Sequence, residues 1–379
     1  MPTPESRRHA AGGANNAHHS GVSVVILSIS GYSEGYSFMT VRTSEHHQTS
    51  VELTAADLDL IAALQVSPRA ENRLLAAALG VSVATVSRRL RRLQQQRVLG
   101  FAADVPWWAR SQTHPQHIWI ETEAGRTPAV AAEISQLPDA QYVALTTGGA
   151  DVYCVVHPYH REQVPELLSQ RLPSIRGVLA TRTEVGLGCY ATGAGWRLRR
   201  LDATQELALG GVTEPNLPAS TPVQLRDDER AVLRLLQVDG RTSAASAART
   251  LGTSTSTAYR LITSLLQRRI LVPRVEVEPG LLGHPLEVVV SLVAAPGQMP
   301  QLATTLAEHP AARYIVTVAG RSSVLFHSVF AHERNLADFL AADMGTLPGV
   351  VSHDVSVVLD VVTRYWGRRE EKLHAEPLS

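Results

Sequence analysis

From Ser82 to Val98 the chain carries five arginines, Arg88, Arg89, Arg91, Arg92 and Arg97, and no acid. Guanidinium groups pair with phosphate and, in bidentate geometry, with guanine, so this run has the electrostatic footprint of a nucleic-acid contact. Such a site has to be local, because the 379 residues balance 35 basic against 35 acidic side chains. Lys372 is the only lysine, an imbalance that codon usage explains as well as phosphate chemistry does. No Ser-His-Asp, Cys-His, His-Glu-x-x-His or phosphate-loop pattern stands at catalytic spacing. The two cysteines, Cys154 and Cys189, are too few for a disulfide framework and are not spaced as metal ligands. No enzyme activity, cofactor or metal is therefore expected.

Composition excludes other classes. With 44% apolar and 18% charged residues the chain is neither fibrous nor wholly disordered. The apolar run Val22 to Ile29 is far shorter than the roughly 20 residues of a membrane span, and it lacks the flanks of a signal peptide. A cytoplasmic protein with no membrane partner is expected.

The elements that must position the arginines follow from local pattern. Thr54 with Asp57 is a capping box, and Leu60, Ile61 and Leu64 recur at helical spacing, which predicts a helix over 54–66. A second helix is predicted over 71–79, stopped by Gly80, and Ser82 caps a third that reaches about residue 97. Three helices with a tight glycine turn make a helix-turn-helix whose third helix enters the major groove. Stepping 100° per residue puts Val83, Val86, Leu90 and Leu93 on one stripe. Ala84, Arg88, Arg91 and Gln95 then lie opposite, flanked by Thr85, Ser87 and Arg92.

The chain also repeats itself: residues 54–194 match 226–366 without a gap at an offset of 172, through pairs such as Leu64/Leu236, Arg69/Arg241, Gly80/Gly252, Arg88/Arg260, Tyr142/Tyr314 and Gly177/Gly349. A period this long is a domain duplication, not a solenoid. In the second copy Ser254 is the cap and Ala258, Ile262 and Leu265 the core stripe, with Ser256, Arg260, Thr263 and Gln267 outward. Arg91 has become Thr263, so weaker or differently specific DNA binding is expected of the second copy. Candidate DNA-binding residues are Ser82, Ala84, Thr85, Ser87, Arg88, Arg91 and Arg92, then Ser254, Ser256, Thr257, Arg260 and Thr263.

After a connecting strand (98–104 and 270–277) each copy alternates strand-like and helix-like segments. In the first these are 117–122, a helix at 128–136, 142–146, 152–156, a helix at 161–171, and 178–187. The order β-α-β-β-α-β is the ferredoxin-like pattern, an antiparallel sheet with helices on one face. Its other face needs cover, so the two copies are expected to pack as an internal pseudo-dimer. The fold class is α+β, two tandem units of helix-turn-helix plus ferredoxin-like domain. The predicted organisation is a disordered extension over 1–50, which holds the pairs His18-His19 and His46-His47, helix-turn-helix domains at 53–104 and 225–277, α/β domains at 115–193 and 285–366, a linker at 194–224 whose Gly210-Gly211 and Pro215, Pro218 and Pro222 break regular elements, and a tail at 367–379.

Over residues 53–366 the chain resembles the Lrp/AsnC (leucine-responsive, feast/famine) regulators, in a tandem form. The likeness rests on Arg69, Leu79-Gly80-Val81-Ser82 leading to Ser87-Arg88-Arg89-Leu90, Asp239-Gly240-Arg241-Thr242-Ser243, Gly148-Gly149-Ala150-Asp151, Leu172-Pro173 and Gly177-Val178. It implies a sequence-specific transcriptional regulator of double-stranded DNA with sensor (RAM-type) domains that assemble into homo-oligomers. It also implies an amino-acid or related small-molecule effector near the glycine loop: Gly148, Gly149 and Asp151 in the first copy, Gly320, Arg321 and Ser323 in the second. Asp151, a possible partner for a ligand ammonium or a turn cap, faces Ser323 across the repeat, so the second effector site is expected to be lost or altered. Two alternatives share the architecture. A haem-pathway (siroheme-type) decarboxylase would show His, Tyr and Arg groups in the sensor domain, whereas Tyr142, Thr146, Thr147, Tyr314, Thr317 and Val318 have no His beside them in sequence. An amino-acid-binding assembly protein without DNA binding is disfavoured by the arginine run.

Overall fold

The computed structural model describes residues 52–111, 113–211 and 225–364. The N-terminal extension with its histidine pairs, linker residues 212–224 and the tail at 367–379 lie outside the described residues. The class is mixed α/β with a helix-turn-helix in each half.

In the first half α1 (Ala55–Val66), α2 (Asn72–Leu79) and α3 (Val83–Gln95) precede β1 (Gly100–Asp104). The Thr54 capping box starts α1, and Gly80, at φ +65°, turns the chain between α2 and α3 in the left-handed conformation that glycine tolerates best. Val86, Leu90 and Leu93 of α3 pack with Leu60, Ile61, Leu64 and Leu75. Val83, on the first turn of α3 and predicted to belong to that stripe, is 46% exposed. The second half repeats the set as α8 (Asp227–Val238), α9 (Ala244–Leu251), α10 (Thr255–Gln267) and β6 (Val272–Glu276), with Ala258, Ile262 and Leu265 buried as expected.

Each half continues in the order β-α-β-β-α-β. A short helix α4 (Trp107–Arg110) precedes β2 (Gln116–Thr122), α5 (Thr127–Ser135), β3 (Ala140–Thr146), β4 (Val152–Val156), α6 (Gln163–Glu166) and β5 (Val178–Ala191). The counterparts are β7 (Leu286–Ala294), α11 (Met299–Ala307), β8 (Ala312–Ala319), β9 (Val324–Phe330), α12 (Glu333–Asp338) and β10 (Val350–Thr363). The helix predicted over 161–171 is interrupted, α6 passing into a π-helical turn at Leu167–Arg171.

The two copies are related by a pseudo-twofold that can be read off the strand registers. β1 and β6 pair antiparallel with Ala102 opposite Arg274, repeat-equivalent residues, at the centre. The eight remaining strands close into one barrel, β10-β3-β4-β2-β5-β8-β9-β7, and its two seams carry equivalent pairs: Gly186 with Val318, and Val358 with Thr146. The sheet face that one copy alone leaves bare is thus covered by the other copy of the same chain, and Trp119, Tyr153, Val289, Val316 and Leu325 fill the interior.

The helical modules are exchanged in their packing. Val277, Leu282 and Val329 of the second copy complete the core of the first helix-turn-helix, and Ala103, Val105 and Ala109 of the first complete that of the second. At the crossing, Arg69 donates to the carbonyls of Gly240 and Thr242, and Arg241 donates to that of Ala70. A Cβ on Gly240 would stand 2.4 Å from the Ala102 carbonyl oxygen and 2.7 Å from its carbon, backbone atoms that cannot swing aside. Gly240→Ala is therefore expected to cost about 2–3 kcal/mol, read as a drop in urea midpoint. An unchanged midpoint would mean that the two modules do not meet there.

The linker differs from its predicted form. Asp202 caps a further helix, α7 (Ala203–Ala208), with a capping box to Gln205. Trp196 and Leu209 are buried in the core of the first helix-turn-helix, Gln205 Nε2 donates to the Ala78 carbonyl at 3.2 Å, and Arg200 pairs with Asp59 at 2.7 Å. Glycines and prolines end regular structure only locally, and here the residues before Gly210 are apolar enough to be captured.

Candidate nucleic-acid interface and effector cleft

Ser82 Oγ accepts from Thr85 N, which fixes the start of α3 and leaves Ser82 and Ala84 exposed on its first turn. Arg88 and Arg91 are exposed and Thr85 is half-buried. Two predicted contacts also bond to neighbouring helices, Ser87 half-buried and Arg92 with its side chain still 45% exposed. Ser87 Oγ accepts from Asn72 Nδ2 of α2 at 2.9 Å. The Arg92 guanidinium pairs with buried Asp57 of α1 at 2.5 Å. The acid absent from residues 82–98 is thus supplied to Arg92 by the first helix. Burial raises the Asp57 carboxyl pKa, but hydrogen bonds from Thr54 and the Arg92 charge outweigh it and hold the group below its usual 3.8.

The second module uses the equivalent acid differently. Glu229, at the position of Asp57, is buried and pairs with Arg268 at the end of α10. Burial again opposes ionisation, and the Arg226 backbone and Arg268 overcome it. Ser254 caps α10 by accepting from Thr257 N, and its Oγ also lies 2.9 Å from that of Ser256. Ser256 and Arg260 are exposed and Thr263 is half-buried. Both third helices thus present a serine cap and an arginine at the same repeat position, but only α10 has a hydroxyl-rich first turn and only α3 adds a second exposed guanidinium at the position of Arg91.

The glycine loops lie at the barrel seams. Gly148, at φ +92°, packs against Val355 O and Ser356 of β10. In the second copy the buried carboxylate of Glu184 on β5, the repeat equivalent of Ser356, accepts from the Ser322 N and Oγ, each at 3.0 Å. Asp151 Oδ2 accepts from Thr122 N at 2.7 Å, and Ser323 Oγ accepts from Ala294 N, the equivalent amide, at 3.0 Å. Both residues bond the last amide of a neighbouring strand, β2 and β7 respectively, a task for which a hydroxyl suffices, so the Asp-to-Ser change preserves this contact. Gly149 and Arg321, equivalent positions in the repeat, meet in one small cleft of about 80 Å³ with Trp119, Glu121, Thr181 and Arg182. The Arg182 guanidinium lies 5.4 Å from the Trp119 ring centroid. Sequence reasoning missed Trp119, Glu121 and Arg182. For Trp119 and Glu121 the signal was the period-2 pattern of β2, whose Ile118 and Ile120 face the helices; Arg182 comes from β5, which only the strand pairing brings beside β2.

That same face of β2 also brings together side chains far apart in sequence. The Tyr153 hydroxyl stands 2.7 Å from His117 Nδ1 and 2.8 Å from His327 Nε2, one imidazole from each copy. A hydroxyl has one proton, so it donates to one ring and accepts from the other. Burial depresses both imidazoles, with neighbouring His327 adding to the effect on His117: to about 3 for His117 and to about 4 for His327. Nearby, Tyr142 donates to Glu287 at 2.9 Å, and Arg364 forms a fork onto the same carboxylate at 3.2 and 2.6 Å. The histidines that sequence proximity did not place beside Tyr142 and Tyr314 are supplied by β2 and β9, with ring centroids 5.5–6.0 Å apart.

Comparisons with known proteins agree with this geometry. Residues 53–99 match the winged helix-turn-helix DNA-binding family. An uncharacterized HTH-type transcriptional regulator, PH0140 from Pyrococcus horikoshii, is 25% identical over 152 residues, 40% of this chain and 95% of its own length. One unit of this chain therefore corresponds to nearly the whole relative. The chain is similar to HTH-type transcriptional regulators. The HTH-type regulator FL11 of the same organism is 27% identical over 138 residues, 36% of this chain and 91% of its own. A similar fold extends over both halves in the crystal structure of the siroheme decarboxylase NirDL, 11% identical with TM-score 0.55, covering 84% of this chain and 96% of that one. At that identity the likeness is one of fold alone. Among the described residues no group of three metal-binding side chains forms and no helix is long and apolar enough to cross a membrane.

Proposed function

We propose that the protein is a cytoplasmic transcriptional regulator that binds double-stranded DNA through α3 and α10, as a covalent pseudo-dimer of two winged helix-turn-helix and ferredoxin-like (RAM-type) units. The observation that carries this is the pseudo-twofold register of β1 and β6, which relates two capped, arginine-bearing third helices as a duplex requires of paired half-sites. Ser82, Ala84, Thr85, Ser87, Arg88, Arg91 and Arg92 form the first reading surface, and Ser254, Ser256, Thr257, Arg260 and Thr263 the second; Ser87 and Arg92 also tie the first to its neighbouring helices. Selection of bound duplexes by the full chain, followed by anisotropy titration in 50–300 mM salt, tests this. Sequence-dependent binding with a steep salt slope is expected, and binding indifferent to both sequence and salt would refute it.

The effector is an amino acid or a related small molecule held in the seam cleft. Arg182 and Arg321 suit a carboxylate and Glu121 an ammonium group, while Gly149 leaves room beside Trp119. Gly148, Asp151, Gly320 and Ser323 shape the loops behind it. Calorimetric titration of the full chain with the twenty amino acids is expected to show saturable binding that Arg321→Ala abolishes and Asp151→Ser spares. The reverse pattern would return the site to Asp151. Assembly into homo-oligomers is supported by apolar side chains exposed at equivalent outer positions, Leu179 with Val351 and Leu187 with Leu359. The decarboxylase reading finds little support, because His117, Tyr153 and His327 are buried inside a filled barrel.

A further inference from the structure

The two reading surfaces are related by the pseudo-twofold, yet they are not the same surface. Position by position, α3 and α10 share an exposed arginine, Arg88 and Arg260, and differ around it. Ala84 faces Ser256, Arg91 faces Thr263, and half-buried Arg89 faces buried Leu261. The largest difference is at Ser87 and its equivalent, Tyr259. Ser87 is tied to Asn72 on the preceding helix at 2.9 Å. The equivalent of Asn72 is Ala244, which has no group to bond, and Tyr259 stands out from α10 at 63% exposure. An exposed aromatic ring on the second turn of a reading helix, beside an arginine, is unexplained by packing: Ala258, Leu261, Ile262 and Leu265 already hold α10 to its module.

We propose that this protein recognises a non-palindromic DNA duplex composed of two unlike half-sites in a fixed order, with Tyr259 the residue that determines the base preference of the second. The inference rests on the DNA-binding reading above. A homodimer presents the same helix twice and so selects a sequence that repeats under the dyad. Here one chain always presents one α3 and one α10, and the exchanged packing of the modules and the seams of the barrel fix their relative orientation. The chemistry of each surface sets what it takes. α3 offers the guanidinium groups of Arg88 and Arg91, whose bidentate partner among base edges is guanine. α10 offers hydroxyls at Ser256 and Thr263, one guanidinium, and the Tyr259 ring, whose apolar edge suits the C5 methyl of thymine. The first half-site is therefore guanine-containing and dominates affinity and salt dependence, and the second is thymine-containing and contributes discrimination.

The test starts from the duplex that the full-length chain selects out of a randomised library. Four versions are compared: the selected duplex, one with two copies of the first half-site, one with two copies of the second, and one with the thymines of the second half-site replaced. The selected duplex is expected to bind at least about 10-fold more tightly than the version with two second half-sites, and about 10-fold more tightly than the thymine-replaced version. Tyr259→Ser is expected to erase the latter difference while leaving the preference at the first half-site and the salt slope unchanged, an outcome that loss of folding cannot mimic. Selection of a palindrome, or a thymine preference that survives in Tyr259→Ser, overturns the inference and leaves DNA binding intact. Failure of the chain to select any sequence would overturn the DNA-binding reading itself.

Discussion

Replacing Arg88 and Arg91 together by alanine is expected to weaken DNA binding roughly 100-fold or more on every duplex tested, and to reduce the slope of log K against log salt by about 2. Both side chains are exposed on α3, and neither belongs to the core that holds the helix, so the variant should melt within about 0.5 kcal/mol of the parent. The contrast with Arg92 sharpens the expectation. Arg92→Ala removes the partner of Asp57, a carboxylate with no exposure of its own, and should lower stability before it alters the salt slope. Because the Thr54 hydrogen bonds and the Arg92 charge together hold that carboxyl below 3.8 against the opposing effect of burial, the stabilisation they supply is present above about pH 4 and fades as the pH falls further. An unchanged salt slope in the Arg88, Arg91 double variant would remove α3 from the DNA.

The second large effect is expected inside the barrel. Tyr153→Phe deletes the hydroxyl that His117 and His327 share across the two copies, leaving two buried imidazole nitrogens without that partner, at a cost of about 2–4 kcal/mol. The wild-type chain should also be acid-sensitive in a defined window. Both imidazoles are neutral in the fold, depressed by burial to about 3 and about 4, whereas in the unfolded chain they titrate near 6.5. The unfolded state therefore binds more protons between these values, so the stability is complete above pH 6.5 and declines as pH falls. The slope reaches about 1.4 kcal/mol per pH unit for each ring. Thermal melting at pH 7, 6 and 5 measures it, and a melting temperature independent of pH across that range would show that the rings are already charged or exposed.

The residues of the hydrogen-bonded bridge inside the barrel are not themselves repeated. Tyr153 is paired with Leu325 in the repeat, His117 with Val289, and His327 with Val155. The hydrogen-bonded bridge therefore exists once per chain, although the scaffold around it exists twice. Fusion permits this. In a homodimer a substitution enters both subunits at once, and a Tyr or His suited to one side of an axis meets itself on the other. Arg69 and Arg241, by contrast, are kept in both copies and reach across to the other module's backbone, as a symmetric crossing allows.

Local pattern alone established the helices, their caps, the glycine turn, the offset of 172 and the β-α-β-β-α-β order, because each depends on neighbours within a few residues or on direct comparison of one stretch with another. Apolar periodicity likewise placed Val86, Leu90 and Leu93 in the core. The tertiary structure decided everything that depends on which surfaces meet. It turned Ser87 toward Asn72 and Arg92 toward Asp57, it captured Trp196 and α7 on the first module, and it showed Asp151 and Ser323 performing one task at equivalent strand ends. It also set His117 and His327 on either side of Tyr153. A linear reading records the charge and spacing of a side chain but not the desolvated partner waiting across a helix crossing or a barrel seam, and burial beside that partner determines whether a group holds the fold or faces a ligand.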